Sequence, residues 1–227
     1  GCNQKKVLVR AAELGDWIAR ARGTGVTTER ATIDWSELMA FKRTFTHSVT
    51  PSNEEKFREA GIARFHDAPR FGSPTSMLIE GEEIQCNKMV IATGAVPISW
   101  DVPGWDLLTT SDTFLELEEL PRRVVFVGGG YISFEFAHVA ARAGAEVTIL
   151  EQSDRVLRGF DPDLVDCLVA RSRQVGIDVR VETGVRSIEK GSNGSYEVQV
   201  VHGEESVSLE ADLVVHGAGR VANMAGL

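Results

Sequence analysis

The sequence is poor in several things that mark particular protein classes. It has three cysteines, Cys2, Cys86 and Cys167, among 227 residues. They are too few and too scattered for the disulfide framework of a small secreted domain, and no Cys-x-x-Cys or His-x-x-x-His pair supplies metal-ligand spacing. A cytoplasmic location and a site without metal are the expectation. Seven prolines stand against 22 glycines, which fits many tight turns and excludes collagen-like or low-complexity structure. The longest apolar stretch, Val124 to Ile132, is under half of the ~20 residues that span a bilayer, and no signal-peptide core follows the first residues. A membrane is not an expected partner. Positive charge is in deficit, with 24 Lys plus Arg against 33 Asp plus Glu and a formal charge of -9. A phosphate backbone would be repelled, so nucleic acid is not an expected partner either.

What is present is ordinary globular composition, 43% hydrophobic and 25% charged, in a length that allows one large domain or two small ones. The chain starts at Gly1 rather than Met and stops at Leu227 with no terminating signal, so a piece of a longer protein is expected. Val7, Ala11, Leu14 and Ile18 fall on one helical face between Cys2 and Arg22, and Gly23 and Gly25 end that helix. A second helix begins near Asp34, a plausible N-cap, and carries Leu38, Phe41 and Phe45 inward before Pro51 interrupts or restarts it. Short strands are expected over 62–65, 77–80, 84–86 and 88–92, with Gly81 at a hairpin turn. Residues 96–104, with Pro97 and Pro103, read as a linker.

After Pro121 the pattern becomes strand, glycines, helix, strand: Val124–Val127, Gly128-Gly129-Gly130, Tyr131–Ala143, Glu146–Leu150. A helix from about Asp161 to Gln174, a strand at 178–182, a meander through 196–201 and a last apolar strand, 213–216, follow. Gly128-Gly129-Gly130-Tyr131-Ile132-Ser133 matches Gly-x-Gly-x-x-small in the context that the dinucleotide fingerprint requires. Gly128 permits the turn, Gly130 lets backbone approach a pyrophosphate, and Ser133 stands for the third glycine. The free N–H groups of the helix N-terminus then face the phosphates. Glu151, at the end of the second strand, is placed to accept both ribose hydroxyls. The bland alternative is a glycine-rich turn in an α/β domain that binds no nucleotide.

Cys2 precedes a helix, whose dipole favours the thiolate. Read alone, a single cysteine near a terminus is more often inert. Lys5 and Lys6 oppose the dipole in that first turn, which a nearby anion would explain; two solvated lysines are the other reading. Glu135 shares a helix face with Tyr131 and points with it toward any bound nicotinamide, although a solvated carboxylate is the plainer reading. His47, His66, His138, His202 and His216 are scattered and read as surface or satisfied core, and Cys86 and Cys167 as structural.

Taken together, Gly1-Cys2-Asn3-Gln4-Lys5-Lys6, Ile91-Ala92-Thr93-Gly94, Gly128 to Glu135 and Gly219-Arg220-Val221-Ala222-Asn223 resemble the class I pyridine nucleotide-disulfide oxidoreductases, the family of glutathione reductase, dihydrolipoamide dehydrogenase and mercuric reductase. The resemblance covers essentially the whole chain, with four motifs in the family's order. It implies electron flow from a nicotinamide to FAD, then to a Cys-x4-Cys disulfide, then to an acceptor. By resemblance Cys2 matches the second cysteine of that pair, whose partner would precede Gly1. Lys5 or Lys6 matches the lysine at the flavin edge, and Glu135 the glutamate that pairs with it. Tyr131 matches the aromatic gate over the nicotinamide pocket, with Gly128, Gly130 and Ile132 in the same turn; Thr93 and Gly94 match a segment that contacts FAD, and Gly219 and Arg220 the return to the flavin region. Gln4 and Ala222 depart from the pattern, each where a proline is usual.

The expected fold class is therefore α/β, a Rossmann-like NAD-binding domain inserted in a partial FAD-binding domain of the two-dinucleotide-binding-domain flavoprotein type. Its boundaries are 1–94 for the partial FAD domain, 95–219 for the NAD(P) domain and 220–227 for the return. The expected function is FAD-dependent NAD(P)H:disulfide oxidoreduction, with the fragment itself inactive. A binding module without turnover, or a relative that reduces a metal ion or quinone, is the alternative. NAD is expected over NADP because Glu151 would meet a 2′-phosphate and Gln152 stands where NADP-type relatives carry arginine, with Arg158 a partial offset. The expected acceptor is a small-molecule or small-protein disulfide, and the full-length protein is expected to be a homodimer.

Overall fold

Four consecutive apolar residues, Val124 to Val127, make a strand with no polar face, and such a strand is stable only when both sides are covered. The computed structural model supplies that cover. It describes residues 2–27 and 31–227; the side chain of Cys2, like Gly1 and residues 28–30, lies outside the description. In chain order the elements are α1 (Cys2–Ala21), α2 (Trp35–Thr46), α3 (Val49–Glu59), β1 (Arg70–Ser73), β2 (Ser76–Ile79), β3 (Glu82–Gln85), β4 (Ala95–Pro97), α4 (Ser111–Phe114), β5 (Arg123–Val127), α5 (Tyr131–Arg142), β6 (Glu146–Leu150), α6 (Pro162–Gln174), β7 (Ile177–Arg180), β8 (Thr183–Lys190), β9 (Tyr196–His202), β10 (Glu205–Ala211), β11 (Leu213–His216) and β12 (Arg220–Ala222). They fall into two compact units, residues 1–46 with 98–219 and residues 47–97 with 220–227. The partition read from the sequence cuts instead after 94 and after 219.

In the first unit β11, β5, β6 and β7 form a parallel sheet in that order. Alternate residues of β5 go to opposite faces. Val124 and Phe126 join a core with Phe134, Ala137 and Val139 of α5, Leu8 and Ala12 of α1, and Trp35 and Met39 of α2. Val125 and Val127 join a second core with Ile188, Val198 and Val200 of the antiparallel sheet formed by β8, β9 and β10. Helices, parallel sheet and meander are thus three layers, the α/β architecture that the β-α-β pattern implies. Asp161 caps α6 through bonds from the amides of Asp163 and Leu164, with Pro162 in the first turn. Lys42, fully buried in α2, donates to the Leu115 carbonyl and pairs with Glu116 at 2.9 Å.

The apolar stripe of α1 is only partly covered. Burial centres on Leu8 and Ala12, whereas Leu14 is 47% exposed and Trp17 65%. Because α1 packs against both α2 and α5, the residues between those neighbours are covered, and Val7, Ala11 and Leu14 line an open groove with Phe41 and Phe45. The inward facing expected for Phe41 and Phe45 is likewise not found; both are more than half exposed.

In the second unit β1, β2 and β3 form an antiparallel meander. The β2–β3 hairpin turns on Glu80 and Gly81, both at positive φ of 52° and 82°, the combination a two-residue hairpin demands. The strands expected at 62–65 and 88–92 are not formed, and β1 was not expected. Ile62 and Val90 are exposed, the latter at 90%, and among the described residues no strand pairs with either segment; an apolar run becomes a strand only where another backbone accepts its hydrogen bonds. Arg70-Phe71-Gly72-Ser73 lacks the alternation that would have marked it. The expected linker also begins as a strand, since β4 pairs antiparallel with β12; Pro97 is tolerated there because a two-stranded sheet leaves edge positions free of ladder bonds.

Candidate functional site

The turn after β5 is built for close packing. Gly128 has φ of 101°, and a Cβ there would fall 2.4 Å from the Ala218 Cα. A Cβ on Gly129 would meet Val156 at 2.6 Å. Ser133, fully buried, donates its hydroxyl to the Gly128 carbonyl and so stitches the first turn of α5 to the glycines. Its room is provided by Gly217, where a Cβ would fall 1.8 Å from Ser133 Oγ. The extra atoms on the helix are therefore matched by a missing side chain at the end of β11. The sequence marks Ser133 as the third-glycine substitute but gives no sign of its dependence on Gly217, which is distant in the chain.

Gly130 is the N-cap of α5 and has no side chain to cap it. The first amides of the helix therefore open toward an adjacent cleft of about 300 Å³, lined by Gly128 to Tyr131, Glu151, Arg155 and Arg158. Glu151 is held in place by the turn itself. One carboxylate oxygen accepts the Gly129 amide and the other the Ser153 amide, each at 2.8 Å. Both oxygens keep free lone pairs, so a diol can still be accepted. Beside Glu151 lies a second recess of about 240 Å³, walled by Trp100, Trp105, Val127, Val185 and Gln152. Trp100 and Trp105 stack at 5.6 Å, and His216 sits edge-on to Trp105 with Nε2 donating to the Ile98 carbonyl at 2.7 Å. A glycine cradle, an uncapped helix N-terminus and a pinned acid at the strand end fit a dinucleotide in the order pyrophosphate, ribose and base.

The lysines of α1 separate clearly. Lys5 Nζ lies 2.6 Å from Glu135 Oε1, with the two side chains 27% and 35% exposed, whereas Lys6 is exposed. The anion that the sequence calls for beside this first turn is therefore Glu135, across 130 residues. Tyr131, one turn before Glu135, is 56% exposed at the mouth of the cleft. Ile132 instead packs on the helical core. Arg158 is paired with Asp154 at 2.6 Å. In the second unit, Thr93 Oγ1 donates to the Asn223 carbonyl at 2.5 Å, the Gly94 carbonyl accepts the Asn223 amide at 3.0 Å, and Arg220 donates to the Ala95 carbonyl. The segments 93–95 and 220–223 thus lie side by side, while Gly219 belongs to the first unit with φ of 119°. Of Cys2 only the helical backbone position is described.

The fold and this turn define a dinucleotide-binding α/β protein. A family model, pyridine nucleotide-disulphide oxidoreductase, matches residues 2–227, and the chain belongs to that family. It is 31% identical to a glutathione reductase of Burkholderia cepacia, over 100% of this chain and 50% of that protein. It is 30% identical to a trypanothione reductase of Trypanosoma congolense, over 97% of this chain and 47% of that one, and 27% identical to a mercuric reductase of Staphylococcus aureus, over 98% and 41%. Among solved structures it is similar to the HOCl-induced flavoprotein disulfide reductase RclA from Escherichia coli, with a TM-score of 0.82, 26% identity, and coverage of 100% of this chain and 48% of that one. The chain spans about half the length of the curated relatives it matches. No described helix is long and apolar enough to cross a membrane, and no cluster of metal-ligating side chains occurs among the described residues.

Proposed function

We propose that these residues bind the pyridine nucleotide in an FAD-dependent NADH:disulfide oxidoreductase and supply one of its two redox cysteines, Cys2. The observation that carries the reading is the Lys5–Glu135 pair. It joins the helix that begins at the cysteine to the helix that begins at the dinucleotide glycines, the two ends that a nicotinamide-to-disulfide relay has to bring together.

A bound nicotinamide would supply a hydride and a bound flavin would relay its two electrons, which with two protons, one from the hydride and one from solvent, would convert the disulfide to a dithiol. The chain's own residues prepare this. The amides of α5 neutralise the pyrophosphate, Glu151 accepts the ribose hydroxyls, and the exposed ring of Tyr131 covers the nicotinamide end. Glu135 holds the Lys5 side chain and directs it at the flavin edge. The walls formed by Trp100, Trp105 and Val185 suit an adenine. In the second unit Thr93, Gly94 and Arg220 are assigned to the flavin side.

Glu151 selects NADH over NADPH in this reading. Pinned by two amides, its carboxylate cannot swing away from a 2′-phosphate, and like unit charges ~4 Å apart at an effective dielectric of ~20 repel by ~4 kcal/mol, an upper bound at a solvated rim. Of the two arginines that follow it, Arg155 donates to the Arg158 and Phe160 carbonyls and Arg158 is engaged by Asp154. The acceptor is a small disulfide, with the mercuric reductase relatives pointing to a metal-ion substrate as the second reading.

The test is stopped-flow reduction of the flavin by NADH in the whole protein that carries this chain. Glu135→Ala is expected to slow the reduction about tenfold while changing the NADH Kd less than about twofold, the pattern of a group that acts in the transition state and not in binding. An unchanged rate contradicts the role given to the pair.

A further inference from the structure

The Lys5–Glu135 pair ties α1 to α5 near their N-termini only, and one contact between two long, partly exposed side chains fixes a point but no direction. A second contact lies about three turns further along α1 and two along α5. Asp16 meets Arg142 as a two-pronged pair, Nε to Oδ1 at 2.9 Å and Nη2 to Oδ2 at 2.7 Å. Both side chains are largely buried, 21% and 15% exposed. Arg171 of α6 adds a longer contact to the same Oδ2 at 3.5 Å. The remaining nitrogen of Arg142, Nη1, donates to His138 Nδ1 at 2.7 Å and to the His138 carbonyl at 3.0 Å.

The polarity of this network is forced. A guanidinium has donors only, so Nδ1 of His138 carries no proton and Nε2 carries it. Nε2 then donates to Ser172 Oγ at 2.9 Å, and the Ser172 hydroxyl donates to the Leu168 carbonyl at 2.7 Å. Reversing any link would set two donors or two acceptors against each other, so the chain from α6 through α5 to α1 has a single arrangement. Partly buried ion pairs contribute little net stability against apolar packing of the same volume; what a fully bonded fork supplies is a defined geometry.

We propose that Asp16 and Arg142, with His138 as the second support of Arg142, are positioning residues that align α1 with α5 and so hold Lys5 and the first turn of α1 at the nucleotide end of α5. The two contacts come in the same order on both helices, Lys5 before Asp16 and Glu135 before Arg142. The helices therefore run in the same sense, and two points separated by ~10–16 Å set direction as well as distance. α1 starts at Cys2 and α5 at the dinucleotide turn, so the alignment acts on the two ends where chemistry is assigned. Its effect on hydride transfer rests on the flavoreductase reading above; the alignment itself does not.

The test is acetylation of the full 227-residue chain by a water-soluble amine reagent, read by peptide mass spectrometry. Exposed Lys6 is the reference and wholly buried Lys42 the reporter of unfolding. Asp16→Asn is expected to raise modification of Lys5 about threefold relative to Lys6 while Lys42 stays protected, as a local opening does. Asp16→Glu, which keeps the carboxylate, is expected to retain the protection of Lys5. Should Asp16→Asn expose Lys42 as well, Arg142→Lys, which keeps the charge and loses the fork, decides in its place. Lys5 released alone supports the proposal, and Lys5 still protected overturns it. In the flavin-loaded whole protein the same variant is expected to slow reduction by NADH at constant NADH Kd. Release of Lys5 with an unchanged reduction rate would leave the alignment standing and overturn the functional reading.

Discussion

Single residues carry the proposed nucleotide choice and the acid sensitivity. With Glu151 locked to the amides of Gly129 and Ser153, NADH is expected to bind at least about tenfold more tightly than NADPH, a conservative part of the Coulombic bound. Glu151→Arg is expected to reverse the ratio, as fluorescence titration with both nucleotides would show; a wild-type preference for NADPH would refute the assignment. His138 is held near pKa 4, first by burial and then by the positive charge of Arg142, with Arg171 adding to it and Asp16 opposing. An unfolded histidine titrates near 6.5. Between those values the unfolded chain binds the extra proton, so stability is full above about pH 6.5 and falls as pH drops toward 4. Asp16, held below the usual carboxylate range by its bonds from Arg142, adds a further loss at lower pH still. Melting temperature against pH is expected to show this decline, and His138→Gln to flatten its part between pH 6.5 and 4. At this scale the sequence was legible where chemistry is local: the glycines, Ser133 and Glu151 lie in one stretch. It was illegible for Asp16, Arg142 and Gly217, because their partners come from other helices and strands, and only the charge of Lys5 in a helical first turn hinted at a distant anion.

Among elements, β5, α5, β6 and β11 could be read closely because each is covered on both faces or amphipathic, so the pattern of apolar residues and the burial agree. The segments 62–65 and 88–92 have the composition of strands and lack partners, which composition does not reveal. The junction of α5 with β11 shows how closely the elements are fitted. Gly217→Ala places a methyl group against Ser133 Oγ and is expected to destabilise the chain by about 1–3 kcal/mol, the usual penalty of overpacking. Ser133→Gly is expected to restore most of that loss in the double variant, and a urea double-mutant cycle with coupling of about 1 kcal/mol or more would confirm the contact. Additive effects would show that the two positions do not share the space. The backbone of Gly217 is not in the left-handed region, so strain from alanine itself does not confuse the result.

For the whole molecule, the four motifs in their order made the family legible, and the family model matching residues 2–227 bears this out. The facing of α1 was not legible, because a helix packed between two neighbours buries the residues between them, and its apolar stripe alone does not say where those neighbours are. Leu14, Phe41 and Phe45 remain exposed around one groove, and the first unit nonetheless closes both faces of its parallel sheet. The proposed nucleotide cradle lies wholly within that unit, so it is expected to work without the rest of a flavoenzyme. The most direct measurement is calorimetric titration of the purified 227-residue chain with NADH. Saturable one-to-one binding that Glu151→Ala weakens about tenfold is the expected result, and no saturable binding of NADH by the folded chain would contradict the account.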